Sequence, residues 1–217
     1  ELGDPLLYRY LQGFGLGTYS GIDFPGEVPG LVRPAEEWCE SCGASTSIGY
    51  RVAVTPLQMT SVFATVGNDG VWMQPQVVEA VIDEAGMPAS LDQQNQRVLS
   101  VETAEIMRSL LTGVVETGTG QLAQVPGYSV GGKTGTTEKF EPDLLCPGAT
   151  VPGCYGDDVV ASFIGIGPSE DPRLAIGVFV DSPRAEKKRT GGVAAAPAFS
   201  RVMRFALHQL GVPPSAR

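Results

Sequence analysis

The chain has 217 residues, of which 42% are hydrophobic and 18% are charged, and its net charge is −9 at pH 7. This composition supports a buried core and excludes a disordered tail, and the negative charge argues against a nucleic-acid-binding protein. The longest apolar stretches, such as 174–180, are far shorter than the roughly 18 residues that a membrane-spanning helix needs. Glycine and proline number 28 and 17, above average usage, which predicts many turns between short elements.

The first hundred residues contain two helix signals. Residues 5–12 are predicted to form a short helix, and the glycines that follow it predict turns over 13–29. Thr55 and Gln58 have the spacing of a capping box, so a helix is predicted to start there and to end at Gly67. The apolar residues that share one face of this second helix are Met59, Val62, Phe63 and Val66.

Two more helices are predicted further along the chain. One starts near Ser100, because Glu102 and Glu105 then lie in its first turns, where the helix dipole favours acidic side chains. Its predicted buried residues are Met107, Leu110, Leu111 and Val114. The other spans about 197–210, and its apolar stripe is formed by Phe199, Val202, Met203, Ala206, Leu207 and Leu210.

Strands are predicted at 71–82, 128–137, 159–166 and 174–181. The last two are separated only by a short turn at 167–172, which predicts an antiparallel hairpin. Helices and hairpins are segregated along the chain, and no linker divides it. The sequence therefore predicts an α+β fold with helices packed on an antiparallel sheet, within a single domain over 1–217.

The segment Gly127–Thr137 carries the most unusual pattern, since Lys133 lies among several glycines. Residues 127–134 match the phosphate-binding pattern G-x-x-x-x-G-K-T. That interpretation requires a buried strand before the loop and a helix after it, because the phosphates bind at the helix N-terminus. The flanking sequence is polar and rich in glycine instead, which disfavours a nucleotide site.

An extended conformation of the same segment gives a second interpretation. Lys133 and Gly135 would then point to one face of a strand, and Thr134 and Thr136 to the other. Such a strand can line a cleft for acyl transfer, where a peptide adds as a further strand and the ammonium and hydroxyl groups attract its carboxylate. The alternative gives the segment no function in binding: it would be an edge strand whose lysine prevents pairing with another chain.

The four cysteines, Cys39, Cys42, Cys146 and Cys154, form two pairs that are close in sequence. This spacing fits either two local disulfides or a zinc site with four thiolates. No histidine lies beside them and the chain is rich in glycine and proline, which favours disulfides and an oxidising compartment. No cofactor and no metal are expected. The cysteine pair 146/154 lies in a long polar connection, 138–158, for which a merely structural role and a role in gating substrate both remain open.

The run Gly132-Lys133-Thr134-Gly135-Thr136 resembles the Lys-Thr-Gly box of penicillin-binding proteins and serine β-lactamases. Further segments resemble, in the same order, landmarks of the transpeptidase domain of class B penicillin-binding proteins. These segments are 15–27, 54–58, 67–70, 118–120, 161–165 and 191–199. The resemblance spans nearly the whole chain and implies the penicillin-binding and serine β-lactamase-like transpeptidase fold.

The resemblance implies a peptidoglycan D,D-transpeptidase that cross-links stem peptides by serine acyl transfer and is trapped by β-lactams. Lys133 would then belong to the proton and electrostatic network of the cleft. Thr134 and Thr136 would bind the substrate carboxylate, and the Thr136 backbone N–H would donate to the oxyanion. Gly132 and Gly135 would allow the substrate to approach closely.

The chain departs from this family in one respect, since neither the Ser-x-x-Lys box nor the Ser-x-Asn box occurs in it. We therefore expect it to be the C-terminal portion of the domain, inactive when isolated, with an upstream half that supplies the nucleophile and a membrane anchor. The expected location is the outer face of the bacterial membrane, in cell division or cell shape, with other cell-wall synthesis proteins as partners. Alternatives are a carboxypeptidase, a β-lactamase and a β-lactam-sensing or purely binding domain.

Overall fold

The computed structural model describes residues 3–82, 86–89, 92–148, 150–184 and 190–215. Within these ranges, no helix combines the length and the apolar character that crossing a membrane requires. The described chain forms two compact units, Glu1–Ala104 and Glu105–Arg217.

In its described residues the first unit contains three α-helices and a short 3-10 helix, Ala35–Glu37, and the two helices that the sequence predicted are confirmed. Their bounds are α1 Asp4–Gly13, α2 Cys42–Ser47 and α3 Pro56–Gly67. Thr55 and Gln58 form the predicted capping box, in which each side chain accepts a hydrogen bond from the other residue's backbone N–H. The glycine-rich segment after α1 is a series of turns, with left-handed backbone at Gly15 and Gly17 among others.

In the described residues of the first unit the strands are two or three residues long, and the predicted single strand 71–82 is wrong, because 74–80 lie outside any strand. They form three two-stranded antiparallel ribbons: β1 Leu31–Val32 with β2 Val52–Ala53, β3 Val71–Met73 with β6 Asn95–Arg97, and β4 Val81–Ile82 with β5 Pro88–Ala89. Pro75 follows β3 closely and has no N–H to donate to a ladder, which explains why pairing stops there.

Gln58 organises the glycine-rich segment from inside the first unit, where its side chain is buried. Its Nε2 donates to the backbone oxygens of Thr18 at 2.8 Å and Pro29 at 2.9 Å, and also to that of Gly15. A buried amide needs these partners, because a polar group left unpaired in the interior costs about 1–3 kcal/mol. One side chain therefore fixes both the start of α3 and the path of 15–29.

The second unit is built on a three-stranded antiparallel sheet in the order β7-β8-β9. Its strands are β7 Gly131–Glu141, β8 Cys154–Gly167 and β9 Leu174–Asp181, and its helices are α5 Gly191–Ala194 and α6 Ala196–Gln209. Helix α4, Val101–Glu116, starts just before the boundary between the units. The predicted hairpin of β8 and β9 is confirmed, with Val160 opposite Asp181 and Gly167 opposite Leu174.

Helix α6 covers one face of this sheet and forms the core of the second unit. The rings of Phe163 on β8 and Phe199 on α6 lie 4.7 Å apart, and both residues are fully buried. Met203 and Leu207 continue the buried stripe along α6. Burying each such side chain contributes about 1.5–3 kcal/mol, so this stripe holds the helix on the sheet.

The predicted apolar faces of α4 and α6 are only partly buried. On α4, Leu111 is buried, whereas Met107 and Leu110 are exposed by 36% and 61%. On α6 Val202 is exposed by 48%, and Leu210, which directly follows the helix, is exposed by 59%. Helical spacing therefore identified the buried side of α6 correctly but overestimated its width. On α4 it misplaced the buried side, which is formed by Ala104, Leu111 and Val115.

The α+β class with helices packed on an antiparallel sheet is confirmed. Treating 1–217 as one domain remains a prediction.

Candidate functional site

Lys133 is the third residue of β7, an eleven-residue strand. The register places Lys133 opposite Ile164 and Thr136 opposite Ala161 on β8. This geometry excludes the phosphate-loop interpretation, which required a helix directly after Lys133. In the described part of the chain β7 has a strand on one side only, and an unpaired strand edge is where an extended peptide can be added to a sheet.

A cavity of about 550 Å³ lies against this strand within the second unit. Three segments form it: the turn after α4, the centre of β7 and the start of α5. The residues that line it are Gly118, Thr119, Gln121, Leu122, Thr134, Thr136, Thr190, Gly191, Gly192 and Val193. Thr134 and Thr136 point into the cavity together, as their shared face of the strand predicts.

Hydrogen bonds hold the two threonine hydroxyl groups in place. The Gly191 backbone N–H donates to Thr136 Oγ1 at 3.2 Å. Thr134 Oγ1 lies 2.9 Å from Thr119 Oγ1, where either hydroxyl can donate. Because a hydroxyl has one proton and two lone pairs, Thr136 accepts from Gly191 and keeps its own proton available for an acceptor in the cavity.

Lys133 is exposed, and its ammonium group lies beside Thr134. Its Nζ donates to the Thr134 backbone oxygen at 3.0 Å and lies 3.5 Å from Thr134 Oγ1. A positive charge and two hydroxyl donors thus lie within four residues of one strand, 133–136. This combination is suited to binding a carboxylate, since hydrogen bonds to a charged acceptor are about twice as strong as neutral ones.

At Gly132 and Gly135 the neighbouring strand β8 leaves no room for a side chain. A Cβ at Gly132 would overlap the ring of Phe163, and a Cβ at Gly135 would overlap Ser162 Oγ. A Cβ at Gly191 would likewise overlap backbone atoms of Ser162 and Gly135. These glycines allow β8 and α5 to approach β7 closely, and their predicted role in substrate approach stays a prediction.

Thr119 and Gly191 hold the hydroxyl groups of Thr134 and Thr136 in place. The chemistry of these two residue types did not predict that role. Both fall in segments that the family resemblance marks as landmarks, 118–120 and 191–199, which was the only signal available. Neither segment has a charged or nucleophilic pattern of its own. Their roles depend on contacts with residues 15 and 55 positions away.

Beyond the cavity, β7 continues to an ion pair that joins it to β9. Lys139 Nζ lies 2.9 Å from Asp181 Oδ1, next to the irregularity in the ladder between Glu138 and Phe140. The hydrogen bond from Lys139, together with its charge, lowers the pKa of Asp181, and the same hydrogen bond raises the pKa of Lys139.

The cysteines pair as the disulfide interpretation predicts. Cys39 is joined to Cys42 in the first unit, and Cys146 to Cys154 in the second. The second pair closes the connection between β7 and β8. No group of metal-ligating side chains occurs in the residues that the structure describes.

Residues 1–204 match the family described as the penicillin binding protein transpeptidase domain. The chain belongs to this family. Its curated relatives include the penicillin-binding protein PbpB of Mycobacterium tuberculosis, which is 35% identical over 98% of this chain and 32% of the relative. Another is the probable peptidoglycan D,D-transpeptidase PenA of Neisseria gonorrhoeae, 32% identical over 99% of this chain and 34% of the relative.

Solved penicillin-binding structures share the fold. Penicillin-binding protein 3 from Mycobacterium tuberculosis, complexed with ampicillin, superposes with a TM-score of 0.88 at 34% identity. The match covers 99% of this chain and 48% of that structure. The chain thus spans about a third of the length of these curated relatives and about half of that solved chain. The predicted family is confirmed.

Proposed function

We propose that this penicillin-binding family chain forms the carboxylate-binding side of a peptidoglycan D,D-transpeptidase site. The single observation that carries the proposal is the set of Lys133, Thr134 and Thr136 on an open-edged strand beside a cavity. Two relatives support the substrate class, since PenA is described as a probable peptidoglycan D,D-transpeptidase and the Mycobacterium tuberculosis protein binds ampicillin in its structure.

In this site the hydroxyl groups of Thr134 and Thr136 donate to the terminal carboxylate of a stem peptide or to the acid group of a β-lactam. Lys133 supplies positive charge beside them and takes part in proton transfer. The peptide lies along the open edge of β7 as an additional strand. The Thr136 backbone N–H donates to the oxyanion, an interaction whose loss costs about 3–4 kcal/mol in other enzymes.

The reaction requires a serine nucleophile outside these 217 residues, which contain no Ser-x-x-Lys box. Its oxygen attacks the carbonyl of the D-Ala-D-Ala bond, and the terminal D-Ala leaves as an amine that takes up a proton. An amine of a neighbouring stem peptide then attacks the acyl-enzyme, forms the new amide and returns the serine hydroxyl. A β-lactam opens at the first step and its acyl group stays on the serine.

The family also supports a location outside the cytoplasm, where peptidoglycan is assembled. We propose that a segment beyond this chain anchors the protein to the membrane, and that it acts with other cell-wall synthesis proteins in division or shape. The upstream half of the same domain would be a further partner and would complete the cleft.

Fluorescent penicillin labelling tests the proposal. The 217-residue chain should remain unlabelled, whereas a protein that includes the upstream segment should be labelled covalently. In that longer protein, Lys133→Ala and Thr134→Val should each lower the second-order labelling rate by about 10- to 100-fold, because each removes a charge-assisted interaction. Thr137→Val, an exposed neighbour on the same strand, is the matched control and should label normally.

Other results would contradict the proposal. Unchanged labelling of Lys133→Ala and Thr134→Val would show that these side chains do not bind the carboxylate. Release of the label within seconds would indicate a β-lactamase, and stable labelling without cross-linking of stem peptides would indicate a β-lactam-sensing domain.

A further inference from the structure

The disulfide between Cys39 and Cys42 joins an exposed residue to a buried one. Cys39 is exposed just before α2, whereas Cys42 is the first residue of α2 and has 0% of its surface exposed. In thiol–disulfide exchange a thiolate must reach one of the two sulfur atoms. A thiolate from solvent can therefore attack at Cys39, with Cys42 as the leaving group.

The second disulfide is protected by comparison. Cys154 is only 8% exposed, and Cys146 is half-buried. Cys154 also begins β8 and pairs with Glu141 on β7, so the ladder holds it in place. The two cysteines are separated by 8 positions, against 3 for the first pair, and a larger ring restrains the unfolded chain more strongly.

The turn that brings Cys39 and Cys42 together has backbone hydrogen bonds of its own, in addition to the disulfide. The Cys42 backbone N–H donates to the Cys39 backbone oxygen at 2.9 Å, and the Ser45 N–H donates to the Ser41 oxygen at 3.2 Å. Reduced thiols would therefore stay adjacent and could be oxidised again. The Ser41 hydroxyl lies 3.8 Å from Cys39 Sγ, where it can donate to a thiolate formed on that sulfur.

The residue before the disulfide, Trp38, makes contacts that do not involve the cysteines. Trp38 Nε1 donates to the Arg33 backbone oxygen at 2.9 Å. The rings of Trp38 and Tyr8 make an edge contact with centroids 6.3 Å apart. Opening the disulfide should therefore leave the path of the chain around it intact.

We propose that Cys39–Cys42 is a reversible thiol–disulfide exchange site that takes a small thiol as its co-reactant. A thiolate attacks Cys39 Sγ, the bond to Cys42 Sγ breaks, and the electron pair leaves on Cys42 Sγ, which takes up a proton from water. A second small thiolate attacks the external sulfur of the mixed disulfide and releases Cys39 as a thiolate. Two small thiols are oxidised to their disulfide, and one protein disulfide is reduced to two thiols.

A glutathione titration of the 217-residue chain tests this site. After each step the thiols are blocked with iodoacetamide and the cysteine peptides are identified by mass spectrometry. Cys39 and Cys42 should be blocked at a glutathione concentration at least about 10-fold below that needed for Cys146 and Cys154. Removal of glutathione and addition of its disulfide should restore the pair.

Two single variants separate exchange at Cys39 from simple instability. In Cys42→Ser, the exposed Cys39 should form a mixed disulfide with glutathione disulfide at least about 10-fold faster than Cys42 does in Cys39→Ser. If either variant fails to fold by circular dichroism, the position of the first glutathione adduct in the unaltered chain decides instead, with Cys39 expected.

Three results would overturn the proposal: earlier reduction of Cys146–Cys154, a first adduct on Cys42, or blocking of all four cysteines before any thiol is added. The proposal does not depend on the transpeptidase site, since its readout is cysteine chemistry alone.

Discussion

The two units of this chain are stabilised by different means. The second unit has a continuous sheet with Phe163, Phe199, Met203 and Leu207 buried against it. The first unit has ribbons of two or three residues, and amide side chains in it bind backbone oxygens of the connecting segments. Besides Gln58, these include Gln96, whose Nε2 donates to the Gly13 oxygen at 2.8 Å.

The candidate site lies on β7, which belongs to the unit with the larger sheet and the continuous apolar core. A binding strand must keep its hydroxyl groups in a fixed position, and an apolar core with ladder hydrogen bonds on one side provides that rigidity. The ribbons of the first unit pair over only two or three residues, and Gln58 fixes the path of the segment 15–29. We therefore expect removal of an apolar side chain to affect the second unit most, and removal of a buried amide to affect the first.

The largest expected effect is on the core of the second unit. Phe199→Ala should lower the free energy of unfolding by about 3–5 kcal/mol, because it removes buried apolar surface and leaves a cavity. Urea unfolding measures the change. Phe205→Ala on the same helix is the control, since Phe205 is 66% exposed and its loss should cost about 0.5 kcal/mol or less. Equal effects of the two variants would contradict the described core.

The next effect tests the polar organisation of the first unit. Gln58→Leu keeps a buried side chain of similar size but leaves backbone oxygens of Thr18 and Pro29 unpaired, so unfolding should become easier by about 2–3 kcal/mol. Urea unfolding and amide exchange over 15–29 measure it, with the exposed Gln76→Leu as control. A neutral Gln58→Leu would mean that the first unit does not depend on this amide.

A smaller effect is expected in the candidate site, on the proposal that it binds carboxylates. Thr119→Val removes the hydroxyl that contacts Thr134 Oγ1 and should lower the penicillin labelling rate of the longer protein by about 5- to 10-fold, the value of one neutral hydrogen bond. Thr119→Ser retains the hydroxyl and should restore most of the rate. If Ser and Val are equally slow, the methyl group rather than the hydrogen bond matters.

The smallest effect concerns the exposed pair Lys139–Asp181. Because the pKa of Asp181 is lowered in the folded state, its contribution to stability is present above the ordinary pKa of 3.8 and is lost as the pH falls through the lowered folded value. The melting temperature of Asp181→Asn should therefore be slightly lower than that of the unaltered chain at pH 7, and the difference should vanish in acid.

The raised pKa of Lys139 acts at the other end of the pH range. Its contribution is present below the ordinary pKa of 10.5 and is lost as the pH rises through the higher folded value. Asp171→Asn, another exposed carboxylate, is the control for the melting experiment. A difference for Asp181→Asn that persists in acid would show that the ion pair is not its cause.

Local patterns in the sequence determined the start of α3, the strand β9 and the extended conformation around Lys133. A capping box and an alternating or continuous apolar run act over a few residues, so they can be recognised without knowledge of the fold. The family resemblance added the identity of the Lys-Thr-Gly box, which spacing alone left open between a cleft and a protected edge.

Only the tertiary structure decided the break of the predicted strand 71–82, the exposure of Met107 and Leu110, the three backbone partners of Gln58, and the contacts that Thr119 and Gly191 make with β7. Each of these depends on atoms that are distant along the chain. The physical reason is that a hydrogen bond or a buried surface between remote residues leaves no periodic trace in either segment, so the fold must bring them together before their roles can be recognised.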